Sequence, residues 1–294
     1  MTRRTSRQGF TTIELLVAGM VFAIFGTMVV RFVLSQSRFS DQMNAASRAR
    51  SVSRSAMNIL ESELRMVQDS GGIELASADG QTIRVLVPYR FGLNCGVRDG
   101  KTVVSLLPVD SLALVGASYA GFGWRSHAGA FQLVFPPAPR GADAPVQSGS
   151  PSQCTGSNSD EAEIMTISLK GRAGAVLDLS PPQPVAPIGG AVFLFQRVTY
   201  SFANSTSFPG QRGLYRAVEG GTEEELMAPF DATARFKYWT RSAAASVSAP
   251  PALDSIRGID VVFAARSSYA PAGRTTPARS TEVASIFFRN VRVH

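Results

Sequence analysis

The chain opens with a nine-residue polar segment carrying Arg3, Arg4 and Arg7 and no acid, and continues into an apolar run from Phe10 to Leu34 in which only Glu14 and Arg31 are charged. At about 1.5 Å per residue, the part from Phe10 to Val30 makes a helix roughly 31 Å long, matching the ~30 Å hydrocarbon thickness of a bilayer. No later window is comparably apolar, so the pattern predicts a single transmembrane pass over residues 10–34. A three- and four-residue spacing then takes over. Ala45, Ala49, Val52, Ala56, Leu60, Leu64 and Val67 fall on one stripe, while Arg48, Arg50, Arg54, Glu61 and Arg65 lie mostly off it. With no Pro or Gly between Thr27 and Ser70, the same helix is expected to continue as an amphipathic segment over residues 35–70 and to stop at Gly71-Gly72.

After Gly72 the period shortens to two, in runs broken by Gly, Pro and Ser. Strands are predicted at Thr82–Val87, Thr102–Leu107, Ala130–Phe135, Glu163–Leu169, Ala191–Phe202, Gly213–Val218, Ala234–Trp239, Ile256–Ala264 and Glu282–Val293. Alternation is clearest in Arg235-Phe236-Lys237-Tyr238-Trp239 and in Val192 to Phe202, as for sheets with one buried and one wet face. Pro136–Asn158, Ser242–Pro251 and Ser267–Thr281 have the composition of surface loops, and none reads as a domain linker. The fold class is therefore α+β, a long N-terminal helix followed by a β-rich head over residues 71–294.

The most specific string stands where the apolar run begins: Gly9-Phe10-Thr11-Thr12-Ile13-Glu14-Leu15-Leu16-Val17-Ala18. A secretory signal peptide has a short apolar core and a small-x-small cleavage site, whereas this run is too long and no Ala-x-Ala follows it. The string resembles the leader of the type IV pilin and type II secretion pseudopilin superfamily. The resemblance implies that residues 1–9 are a leader, cut after Gly9 on the cytoplasmic side by a prepilin peptidase that then methylates the new amino terminus at Phe10. It also implies a pilin-like fold, with the helix packed on an antiparallel sheet, and an inner-membrane protein whose head is periplasmic or otherwise extracytoplasmic. Charge counting does not set that orientation, because Arg31, Arg38, Arg48 and Arg50 after the span nearly balance the leader. The family's glutamate falls on Glu14. An acid inside a spanning helix costs a few kcal/mol and needs a partner. The free Phe10 amine of a neighbouring subunit would cancel both charges and fix the register of packed helices. Major pilins usually carry a helix-breaking Pro near the position of Arg31, and here no Pro precedes Pro88. That departure favours a minor pilin or pseudopilin. The order of Val198 to Phe202, Gly213 to Arg216, Phe236 to Trp239, Ile256 to Val262 and Phe287 to Asn290 looks like J-type minor pseudopilins and W-type minor pilins.

Composition narrows the chemistry. The 294 residues carry 29 Lys and Arg against 22 Asp and Glu, a formal charge of +7 that falls to +4 without Arg3, Arg4 and Arg7 of the leader. Nucleic acid is accordingly not an expected partner. Two Cys and two His exclude a Cys-rich zinc module, and His127 and His294 have no acid or nucleophile at triad spacing. Gly92 to Gly96 lacks the Lys-Ser/Thr of a phosphate loop and reads as a turn. The acids Asp160, Glu161 and Glu163, and Glu223 to Glu225, lack the alternating oxygen ligands of a calcium loop and read as solvated faces. No cofactor and no catalysis are expected. Cys95 and Cys154 sit in turn-like strings beyond the membrane, where oxidation is allowed, and a bridge between them would close about 60 residues and add roughly 4 kcal/mol in the chain-entropy model. The expected partners are other filament subunits, the peptidase and the inner membrane. Two rivals stand beside this reading: a signal-anchored extracytoplasmic enzyme whose chemistry is not visible in motifs, and a DNA-binding subunit of an uptake pilus.

Overall fold

The computed structural model describes residues 11–68, 71–107, 110–111, 119–126, 131–135, 146–147, 168–169, 172–249 and 252–288. Thr12–Leu64 form one helix, α1. The strands are β1 Ile73–Ala76, β2 Thr82–Arg98, β3 Lys101–Leu106, β4 Gly121–Arg125, β5 Phe131–Val134, β6 Val146–Gln147, β7 Ser168–Leu169, β8 Arg172–Ala173, β9 Val176–Leu179, β10 Ala191–Asn204, β11 Arg212–Val218, β12 Glu223–Phe230, β13 Arg235–Thr240, β14 Ile256–Arg266 and β15 Arg279–Phe287. Among the described residues thirteen strands join one sheet in the order β13-β14-β12-β11-β10-β2-β3-β9-β6, with β1 beside β2, β15 beside β14, and β4 joining β10 to β5. The short β7 and β8 pair with each other.

Strand β10 organises the head. Its second half pairs with β11 from Val198↔Val218 to Asn204↔Arg212, and its first half pairs with β4 from Val192↔Trp124 to Phe195↔Gly121. One core therefore gathers Val198, Tyr200 and Phe202 with Phe230, Phe236, Phe263 and the helix residues Ala56, Leu60 and Leu64. A second gathers Val192 and Leu194 with Val104, Phe122, Trp124 and Leu177. In the first, Phe202 meets Phe230 edge-on with ring centroids 5.4 Å apart, the T-shaped contact that aromatic quadrupoles favour, and lies tilted against Phe236 at 5.1 Å.

The helix ends earlier than its pattern predicts. It stops at Leu64, where Met66 and Val67 donate to the Glu63 and Leu64 carbonyls in tighter three-residue turns. This turn drops Val67 into the helix-side core, so the stripe keeps its last member although the helix has ended. Strand β2 runs past the expected Val87 to Arg98, crossing Pro88 through a register shift that leaves Tyr89 unpaired between Phe195↔Pro88 and Leu194↔Arg90. Such a bulge accommodates a residue with no N–H to donate. Strand β12 was not expected because Glu223, Glu224 and Glu225 read as a solvated face; Glu223 and Glu224 are exposed and Glu225 is half-buried, yet all three pair with β11, opposite Ala217, Arg216 and Tyr215. Strands β1, β4 and β9 are likewise absent from the sequence reading. Within the expected loop Pro136–Asn158, Val146–Gln147 pair with β9, and of the expected strand Glu163–Leu169 only Ser168–Leu169 are described. The remainder of both lies outside the described residues.

Candidate functional site

The first half of α1 is bare. Every described residue from Thr11 to Ser40 is exposed, including Phe22, Phe25, Val29 and Phe32, and this is one helix long and apolar enough to cross a membrane. It starts with a capping box. The Thr11 hydroxyl accepts the Glu14 backbone N–H at 3.3 Å, and the Glu14 carboxylate accepts the Thr11 N–H at 3.0 Å and its hydroxyl at 3.1 Å. Glu14 thereby has a partner within its own chain, a local one that the pairing across subunits described above does not include. The signal was legible, since Thr11-Thr12-Ile13-Glu14 is the Thr-x-x-Glu signature of a helix start. One carboxylate oxygen carries both contacts, so Glu14 retains acceptor capacity for an amine. Gly9 and Phe10 lie outside the described residues.

The second half of α1 is bolted to the sheet. Ala45, Ala49, Ser53, Ala56, Leu60 and Leu64 are buried on the face toward β12, β14 and β15, and the three alanines let the helix approach closely. Ser53, on the same face as the predicted stripe, was missed because its hydroxyl reads as polar. Its oxygen is buried without a hydrogen-bond partner among the described residues. A polar fastener follows: Glu63 accepts from the Tyr200 hydroxyl of β10 and pairs with Arg216 of β11 at 3.3 Å. Burial, together with the Glu63 charge, pushes the Tyr200 hydroxyl well above the ordinary tyrosine range, so it stays a donor. Burial alone would lower Arg216, but Glu63 and Tyr200 hold it above its usual value. This triad was not singled out in the sequence, where Glu63 is one more charge off the apolar stripe.

Cys95 occupies the extra position of a bulge in β2, between the pairs Asn94↔Val104 and Gly96↔Val103. Gly96 takes φ +101° there, and the Asn94 side chain holds the bulge, which stands within a strand where the sequence suggested a turn, by accepting the Gly96 N–H at 3.0 Å and donating to the Ala186 and Pro187 carbonyls. Cys95 is 4% exposed and disulfide-bonded. Cys154, the other cysteine of the chain, lies outside the described residues. Non-reducing electrophoresis of the full chain isolated without reductant, with and without alkylation, is expected to show one Cys95–Cys154 bridge; two titratable thiols in unreduced protein would show the pairing to be wrong.

Among the described residues no group of three or more His, Cys, Asp or Glu side chains is placed to hold a metal. Glu225 instead accepts from Ser205, Thr206 and Ser207, contacts that outweigh its desolvation and hold its carboxyl below the usual range. His127, His294, Asp160, Glu161 and Glu163 lie outside the described residues. No protein-family model, curated protein or solved structure matches this chain.

Proposed function

We propose that this chain is a minor subunit of a type IV pilus or a type II secretion pseudopilus, inserted in the inner membrane with its head on the periplasmic or extracytoplasmic side, and that it acts without catalysis. The observation that carries the reading is one helix with two surfaces. Its first half is an exposed apolar rod behind a Gly9-Phe10 leader junction, and its second half is packed on the sheet of a β-rich head. A rod of that kind cannot stay in water, and it suits a bundle of like helices as well as a bilayer. Partners are then the other subunits of the filament, with the prepilin peptidase acting first. The head supplies lateral contacts, and starting or capping the filament is the role that fits a minor subunit with so large a head.

Processing tests this directly. Intact-mass analysis of the membrane fraction should give an amino terminus at Phe10 carrying one methyl group, and Gly9→Val should leave a longer, uncut precursor because a small residue is needed where the peptidase closes on the scissile bond. A wild-type chain that still begins at Met1 in a strain with an active peptidase would overturn the assignment.

A further inference from the structure

The loop joining β14 to β15 does not turn back at the edge of the sheet. It hangs down along the helix toward the apolar rod. The Arg48 guanidinium lies over the Tyr269 ring at 5.4 Å from its centroid, and the Arg38 Cδ lies 3.7 Å from where a Cβ on Gly273 would stand. Between those contacts the loop descends ten helix residues, about 15 Å. Its tip is then four residues, about 6 Å, from Leu34, the last residue of the apolar run. The headgroup layer of a bilayer is about 5–8 Å deep on each side, so the tip stands within it if residues 10–34 span the membrane, the reading on which this inference rests.

The loop is held in shape. Ser267 donates its N–H to the Ala278 carbonyl at 2.8 Å and accepts the Ala278 N–H on its hydroxyl at 2.9 Å, which closes the neck. At the tip Arg274 donates to the Pro271 carbonyl at 2.9 Å across a turn in which Gly273 takes φ +82°, and Pro271 is buried. Gln42 of the helix lines a cleft with Pro271 and Arg274 and lines a second one with Arg31 and Arg38. Three arginines thus border one strip of surface. Arg279 at the loop's end is neutralised by Asp231 at 3.1 Å, whereas Arg31, Arg38 and Arg274 are exposed and have no ion pair among the described residues. The acid closest to them along the helix, Asp41, is half-buried.

We infer that Arg274 of the β14–β15 loop, with Arg31 and Arg38 of the stem, forms a binding site for the phosphate of an anionic lipid headgroup in the leaflet facing the head. Guanidinium forks match phosphate oxygens, and a long side chain at Arg31 reaches outward to the same level. The loop's fixed turn lowers the ordering cost of bringing Arg274 to the ligand. The level of the cluster favours lipid over nucleic acid, because a duplex approaching it would collide with the headgroups.

The full chain is tested in neutral detergent micelles, titrated with phosphatidylglycerol or phosphatidylcholine, with bound lipid counted by native mass spectrometry. One arginine near a membrane surface is worth about fivefold in affinity for an anionic lipid. Phosphatidylglycerol should therefore be preferred by tenfold or more, Arg274→Gln should cut that preference about fivefold, and Arg38→Gln with Arg274→Gln should abolish it. Arg257→Gln, at the far end of β14, should change nothing. Undiminished preference in the double variant would overturn the inference, as would displacement of the lipid by soluble glycerol phosphate, which indicates a free-anion site, or by duplex DNA, which indicates a nucleic-acid surface. A wild-type chain that pellets with vesicles yet shows no preference overturns this inference alone; one that stays in solution without detergent overturns the membrane reading beneath it.

Discussion

Leu60→Ala should destabilise the head by about 2–5 kcal/mol, the cost of losing a fully buried leucine and leaving part of its volume empty. Leu60 is 0% exposed and stands where the helix meets the aromatic core of the sheet. Urea denaturation of the full chain in detergent, followed by tryptophan fluorescence, reads this well because Trp124 is 3% exposed and Trp239 donates to Asp260 at 2.6 Å in the head. Ser53→Ala on the same buried face should move the midpoint the other way, by about 1 kcal/mol, since it removes a buried oxygen with no partner and adds the best helix former. An unchanged midpoint for Leu60→Ala would mean that the head folds without its helix. Opposite signs at two neighbouring sites on one face distinguish packing from a general intolerance of substitution.

Glu14→Leu should leave insertion and cleavage intact, because it makes the rod more apolar, yet reduce recruitment of partner subunits by about tenfold or more, the scale of a lost charge-assisted hydrogen bond. The capping box sharpens the test. Thr11→Val removes the hydroxyl that accepts the Glu14 N–H but keeps the carboxylate, so it should cost only about 1 kcal/mol of local helix start and spare recruitment. Glu14→Gln should fall between, since an amide oxygen accepts hydrogen bonds but balances no charge. The measurement is co-purification of partner subunits at equal membrane abundance. If Thr11→Val matched Glu14→Leu, the carboxylate would serve the helix start rather than the register between subunits; if neither changed recruitment, the head alone would direct incorporation.

The helix and its stripe were legible because both rest on short-range periodicity: Ala45, Ala49, Ala56, Leu60 and Leu64 are buried as their spacing predicts. The strands with clean alternation, β10 and β13, were legible for the same reason. What escaped was decided by distant partners. Glu223 to Glu225 form strand because β11 supplies the ladder, and Gly121-Phe122-Gly123-Trp124 extends because β5 and β10 flank it, although its glycines suggest a turn. The Glu63–Tyr200–Arg216 fastener joins residues more than a hundred positions apart, a pairing that no local pattern encodes. Of the candidate site, Glu14 is legible as a charge in need of a partner and as the end of a Thr-x-x-Glu cap. The descent of the β14–β15 loop onto the stem could not be read at all, because a Pro-, Ser- and Thr-rich composition reveals a loop but not the surface it lies on.

The uninterrupted run of α1 has a mechanical meaning. From Thr12 to Leu64 the helix is about 80 Å long, with no proline to act as a hinge. Its upper part is also the support of the sheet, so a thrust along the axis applied at the rod reaches Leu60, Glu63 and the strands behind them without slack. Rod and head are one continuous piece. Lifting the rod lifts the head by the same distance, and the limit on the load it can bear is the packing of one helical face against β12, β14 and β15.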